Sequence, residues 1–249
     1  MKILSFILLK FYSFWVFLVF TISMIVLLPG MTIPFFFGNR WSWLGYKFLF
    51  AWSWIFSQLT FIHYKFYGRE NFRKGQSYIF VSNHTSFLDI PGLCMLIGRE
   101  FRPMAKKELL KIPVFGWIAR GACVIVDRSS SESKKKSLEK LKETLEHGIS
   151  ILLFAEGTQN RTKELLQPFK DGAFRIAIDT QKSILPMVVV GAGRLMPPGT
   201  VHLRPGLIKI IVGPEISVND LSSENTQSLK QKTFNIMQTM IQNKNPNHP

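Results

Sequence analysis

The chain changes texture about a quarter of the way along its length. Between Lys10 and Arg40 no residue carries a charge, and residues 11–28 read FYSFWVFLVFTISMIVLL. Such a run, wound as a helix, is long enough to cross a hydrocarbon layer about 30 Å thick. A second apolar stretch over residues 48–62 is shorter and richer in aromatics, and Pro29, Gly30 and Pro34 punctuate the gap between the two. The pattern predicts a membrane-associated two-helix hairpin over residues 1–66. A cleaved signal peptide does not fit, because the apolar run is too long and no small-residue cleavage site follows it. Trp41, Trp43, Trp52 and Trp54 suit the headgroup level, where an indole keeps its N–H wet.

From about Tyr67 the pattern is that of a soluble domain. Short β-branched and apolar runs predict strands at 77–82, 102–105, 122–126, 149–154, 184–190 and 207–212. Longer amphipathic stretches predict helices at 86–97, 131–147, 171–181 and 226–242, with two short helices broken at Pro113 across 106–120. In the 131–147 segment Leu138, Leu141 and Leu145 share a face, and Gly148 stops the helix. Strands alternating with helices imply an α/β fold, a mainly parallel sheet flanked by helices, over residues 67–249.

Composition narrows the partners. Hydrophobic residues make up 47% of the 249, which excludes a disordered chain. Two cysteines, Cys94 and Cys123, give neither a disulfide framework nor a Cys-rich zinc site. A net charge of +15 points to an anionic partner. Nucleic acid would need a reader motif, which the sequence lacks, whereas a basic surface beside an apolar hairpin fits an anionic membrane. Lys2 and Lys10 precede the first apolar run, and most of the remaining cations follow Lys65. Both flanks therefore belong on the cytoplasmic side, which two crossings or a re-entrant hairpin in one leaflet would each satisfy.

Three segments could carry chemistry. Asn83-His84-Thr85-Ser86-Phe87-Leu88-Asp89 follows a predicted strand, where open α/β sheets place ligands. On a regular helix residues five apart point about 140° away from each other, so His84 and Asp89 meet only if the backbone bends between them. A capping box from Ser86 to Asp89 would supply the bend. A carboxylate on one imidazole nitrogen fixes the tautomer and raises the basicity of the other, giving a dyad able to deprotonate an alcohol. The same residues also make an ordinary helix cap with a locally bonded histidine, and this stretch alone supports both. Phe154-Ala155-Glu156-Gly157-Thr158-Gln159-Asn160-Arg161 also follows a strand, and Arg161, Lys163, Lys170 and Arg175 supply charge for a phosphate. Taken alone it is a polar turn. In Ala105-Lys106-Lys107-Glu108, then 112–117, then Asp127-Arg128, basic and apolar residues alternate as a headgroup and acyl chain would require, or as a solvated basic helix would.

Together, in order and spacing, these segments and Ile184-Leu185-Pro186-Met187 resemble the four blocks of the glycerolipid acyltransferase family, specifically the bacterial 1-acyl-sn-glycerol-3-phosphate acyltransferases. NHTSFLD is similar to the family's His, four residues, Asp block, and FAEGTQNR to its FPEGTRS block. The resemblance implies that His84 is the general base for the acceptor hydroxyl and that Asp89 orients it. Glu156, Gly157 and Thr158 would shape the acceptor site, with Lys107 holding its phosphate. It implies acyl transfer from acyl-CoA or acyl-carrier protein to 1-acyl-sn-glycerol-3-phosphate, giving phosphatidic acid, without metal or cofactor. The location implied is a bacterial inner membrane with the catalytic domain on the cytoplasmic side. Two positions depart from the pattern: Ala155 replaces the family's usual Pro, and Gln159 its usual phosphate-associated Arg. Gln cannot supply the charge of a guanidinium, so Arg161 becomes the candidate to replace it. The departure keeps two alternatives in view: another lysolipid acceptor, such as a lyso-ornithine lipid, or a non-catalytic lipid-binding relative.

Overall fold

The computed structural model describes residues 2–73, 75–127 and 130–244. Arg128 and the polar tail at 245–249 lie outside the described residues. Two long helices open the chain, α1 (Lys2–Phe36) and α2 (Asn39–Thr60). The predicted gap at Pro29, Gly30 and Pro34 is instead the last two turns of α1. Packing holds those turns over the missing proline N–H groups. Gly30 receives the Phe48 ring, which leaves no room for a Cβ there. Phe35 meets Tyr46 edge-on at 5.8 Å, and Met31 is fully buried.

Seven strands follow: β1 (Ile62–Tyr67), β2 (Ile79–Ser82), β3 (Phe101–Lys106), β4 (Val124–Val126), β5 (Ser150–Phe154), β6 (Ile184–Val190) and β7 (Gly206–Val212). Their order in the sheet is β1-β7-β6-β2-β5-β3-β4. All pairings are parallel except β6 with β7, so β1 and β7 run against the other five. The fold is thus α/β with a mostly parallel sheet flanked by helices. β1 went unrecognised in the sequence, and all of it but Tyr67 falls within the residues assigned to the hairpin. Its partner in the sheet is β7, 144 residues later at the first matched pair, Ile62 with Gly206.

Side chains of the central strands alternate between two apolar layers, as a strand's two-residue period requires. Tyr78, Phe80, Leu185 and Met187 enter the layer beneath α1, α2, α3 (Asp89–Ile97) and α4 (Phe115–Ala122). Ile79, Val81, Ile184 and Val188 enter the layer beneath α5 (Ser131–Glu146), α6 (Gly172–Thr180) and the closing α8 (Thr226–Lys244). A short helix, α7 (Ala192–Leu195), follows β6. The hairpin is packed along its length. Tyr12 bonds to the carbonyl of Thr60, and Ser13 Oγ accepts from Leu203 N at 3.0 Å. At the far end Ser42 Oγ donates to Glu100 at 2.7 Å, and Glu100 in turn pairs with the buried Arg102 at 2.8 Å. Val16, Met31, Trp52 and Phe56 belong to the same apolar cluster as Phe80 and Leu93 of the sheet domain.

Candidate functional site

Five parallel strands ending on one edge bring the motif residues together. The loops after β2, β3, β4, β5 and β6 open there, carrying His84, Lys107, Asp127, Glu156 and Gly191 respectively. β2 and β5 are in register at Ser82 and Phe154, which sets the His84 loop beside the Glu156 loop.

His84 Nδ1 lies 2.8 Å from Asp89 Oδ2. The bend that permits this is a turn held by the Asp89 carboxylate, not the expected capping box, since the cap position of α3 is Leu88 and carries no side-chain cap bond. Ser86 N donates to Asp89 Oδ2 at 2.9 Å, while Ser86 Oγ accepts from Leu88 N at 3.3 Å, so α3 starts at Asp89 itself. Pro91 sits in the first turn, where a helix needs no N–H. Asp89 is fully buried, and its Oδ2 also accepts Thr85 N at 2.7 Å. One carboxylate oxygen therefore holds both the loop amides and the imidazole. With Nδ1 engaged, Nε2 is the nitrogen left for a substrate, and the His84 side chain retains 16% exposure. The imidazole stacks on Phe154, with ring centroids 4.0 Å apart and planes 16° from parallel. Its plane is thus fixed on one side by an aromatic and along one edge by a carboxylate.

The loop backbone is braced from below. Asn83 bonds through its side chain to both the N–H and the C=O of Val189, at 2.7 and 3.0 Å. Glu156, 1% exposed, accepts His84 N at 3.0 Å on one oxygen and Gln167 N at 2.9 Å on the other. Burial pushes the Glu156 carboxyl above its usual range, against the two amides, which favour the anion. The residue expected to shape the acceptor site is therefore an internal brace on the dyad loop and does not face the open edge. Gly157 turns the chain behind it with φ +75°, a left-handed conformation suited to glycine. Thr158 is exposed on the open edge.

The cations divide between two sides of the dyad. Lys107 is exposed but pairs with Asp127 at 2.8 Å, and that carboxylate raises its ammonium above the ordinary lysine value. Its charge is thus partly answered within the protein. Arg161 lies on the β6 side, its guanidinium within 4.0 Å of the Cβ position of Gly199. Arg194, which sequence reasoning missed, is exposed on α7 beside Gly193, whose Cβ position is 3.2 Å from Thr85. Neither arginine has an ion pair among the described residues. The signal for Arg194 was its place just past β6, on the same edge as the histidine. The loop carrying it ties the hairpin to the dyad: Ser86 Oγ donates to Met196 O at 2.9 Å, and Leu203 N bonds to Ser13 of α1.

Comparison with known proteins bears on the family and the fold. Residues 63–190 match the family described as Acyltransferase. The chain is 32% identical over 163 residues to the 1-acyl-sn-glycerol-3-phosphate acyltransferase BAT2, chloroplastic, of Brassica napus, covering 64% of this chain and 47% of that protein. It is 35% identical over 136 residues to the 1-acyl-sn-glycerol-3-phosphate acyltransferase LPAT1, chloroplastic, of Arabidopsis thaliana, covering 54% and 38%. The chain thus spans about half, or less, of the length of these curated relatives. The crystal structure of the 1-acyl-sn-glycerophosphate acyltransferase PlsC from Thermotoga maritima shares the fold over the whole of both chains, with a TM-score of 0.78 and 21% identity.

Proposed function

The chain belongs to the acyltransferase family, and from that premise we propose that it transfers a fatty acyl group from a thioester donor to the free hydroxyl of 1-acyl-sn-glycerol-3-phosphate. The observation that carries this reading is the contact of His84 Nδ1 with a fully buried Asp89 at 2.8 Å. Asp89 holds the proton on Nδ1, so Nε2 presents a lone pair. The acceptor hydroxyl gives its proton to Nε2 as its oxygen attacks the thioester carbonyl. The imidazolium so formed faces the Asp89 carboxylate, and the tetrahedral oxyanion collapses with loss of the thiolate, which recovers the proton from Nε2. The products are the diacyl phosphate, phosphatidic acid, and free thiol. Acyl-CoA or acyl-carrier protein supplies the thioester, and the step uses no other cofactor.

A membrane setting supports a lipid acceptor. Phe11, Phe14, Val26 and Trp54 point outward from the hairpin, each more than half exposed. Ser13, Ser23, Thr32, Ser53 and Thr60 bond back to carbonyls of their own helices, as hydroxyls do where water is absent. The inner face of the hairpin packs on the sheet domain from Tyr12 to Tyr46. That favours a hairpin lying in one leaflet, with the sheet domain on the cytoplasmic surface, over one standing through the bilayer.

A second acceptor reading rests on Gln159, which stands where the family pattern usually has Arg. Under it the headgroup is a different lysolipid, and Arg161 and Arg194 meet whatever charge it carries. Purified protein given labelled acyl-CoA and a panel of lysolipids, with products read by mass spectrometry, separates the two. The first reading expects phosphatidate as the main product. Acylation of another lysolipid in preference to it would favour the second, and no lysolipid-dependent release of CoA would remove both.

A further inference from the structure

A cavity of about 400 Å³ lies at the opposite edge of the sheet from the dyad. α3 runs away from His84 over nine residues and carries Met95 there, with Arg99 two residues past its end, while Arg69 and Phe72 follow the end of β1, which runs against β2. Phe50 of α2 also lines it, 41% exposed on the face of the hairpin that the bilayer reading places in lipid. The groove is therefore apolar along its floor and bordered by three arginines.

Two of these three cations, Arg69 and Arg99, are poorly answered within the protein. Arg73 pairs with Glu215 at 3.3 Å. Arg69 lies over the Phe66 ring at 4.5 Å and donates to Met95 O at 3.3 Å, and Arg99 donates to Gln76 O at 2.8 Å. Arg69 and Arg99 thus have carbonyl and ring partners but no carboxylate among the described residues. Arg99 is half-buried, and loss of water pulls its guanidinium below the ordinary arginine value. A guanidinium fork beside an apolar floor matches a phosphodiester joined to a hydrocarbon chain.

We propose that this groove holds an anionic phospholipid, its phosphate between Arg69 and Arg99 and an acyl chain along Phe50, Phe72 and Met95. The site is separate from the acyl-transfer edge and rests on the reading of the hairpin as embedded in a leaflet. Its occupant is a resident lipid that neither reacts nor is produced, and it fastens the edge of the domain remote from His84 to an anionic membrane.

The test uses the full chain in detergent micelles, stripped of lipid and titrated with phosphatidylglycerol, phosphatidylcholine or inorganic phosphate under native mass spectrometry. Phosphatidylglycerol serves because the proposed reaction neither consumes nor makes it. One phosphatidylglycerol should be retained, in preference to phosphatidylcholine by about tenfold. The double variant Arg69→Gln/Arg99→Gln should lose that preference, and Arg69→Lys/Arg99→Lys should keep most of it. Acyl transfer by both variants should stay within about twofold of wild type, which also reports that they fold. Equal retention of the two lipids, an unchanged preference in the glutamine variant, or binding of inorganic phosphate as strong as that of the lipid would each overturn the proposal. A wild-type protein that prefers phosphatidylglycerol yet transfers no acyl group would sink the enzymatic reading and leave this one standing.

Discussion

Replacing Asp89 by Asn separates charge from geometry at the dyad. Asp89 Oδ2 accepts three donors, His84 Nδ1 at 2.8 Å, Thr85 N at 2.7 Å and Ser86 N at 2.9 Å. An Asn oxygen placed there can accept the same three. The amide nitrogen then takes the place of Oδ1, which faces Thr85 Oγ1 at 3.4 Å, a hydroxyl able to accept as well as donate. The loop, the helix start and the imidazole tautomer should all survive, and what disappears is the negative charge. In the ground state that change is small, because weaker hydrogen bonds are offset by relief from burying a carboxylate. The net effect on stability should stay within about 2 kcal/mol. In the transition state His84 carries a positive charge 2.8 Å from the vanished carboxylate. At an effective dielectric constant near 20 that attraction has an upper bound of about 6 kcal/mol. Solvent at the partly exposed imidazole reduces it, so a loss of about 10²- to 10⁴-fold in turnover is expected. The assay is release of CoA dependent on lysophosphatidate, run beside thermal melting in detergent. Turnover above about a tenth of wild type would refute the reasoning, since the charge would then contribute less than about 1.4 kcal/mol. So would loss of the folded state, since the carboxylate would then be required for the loop itself.

Glu156→Gln tests the brace. Its elevated pKa means that the folded state holds the proton more tightly than the unfolded chain does. The stability contributed by that proton is complete below the unfolded value and is lost as pH rises through the folded one. Gln is always neutral but offers an amino group to one of the two backbone N–H donors, at a cost of about 1–2 kcal/mol. In melting curves from pH 4 to 8 the variant should start less stable than wild type and close the gap as pH rises; a gap that widens would contradict the burial argument. Arg161→Met should raise KM for lysophosphatidate about tenfold with little change in kcat, as expected for a lost charge-assisted bond to phosphate. An unchanged KM would assign the headgroup to Arg194, and the same substitution there checks that.

How far the sequence could be read varies with the element. β2, β5 and β6 were legible because each is a short apolar run buried on both faces. β1 was not: IHYKFY is only partly buried and directly continues an apolar helix, so no turn residue announces it. The prolines of α1 misplaced its end, because the Phe48 and Tyr46 contacts that carry the helix past them come from another segment. At the site the spacing of His84 and Asp89 left a dyad and an ordinary helix start equally open, and only the order of the four blocks singled the pair out; their contact is in the structure. The amides of Thr85 and Ser86 were not legible, since backbone donors leave no trace in residue identity. Glu156 was found in the right block, but its role depends on amides from residues 84 and 167, which only the fold brings together. Phe154 was visible as the last apolar residue of a strand, and nothing in the pattern distinguished a core side chain from the platform under an imidazole.

The most direct test of His84 as the proton acceptor is steady-state acyl transfer with purified His84→Ala in lipid micelles at saturating lysophosphatidate and acyl-CoA. The account predicts a folded protein, with melting close to wild type, whose acyl transfer is reduced at least about a thousandfold. Transfer within about tenfold of the wild-type rate by that folded variant would show that another group removes the proton and would contradict the account.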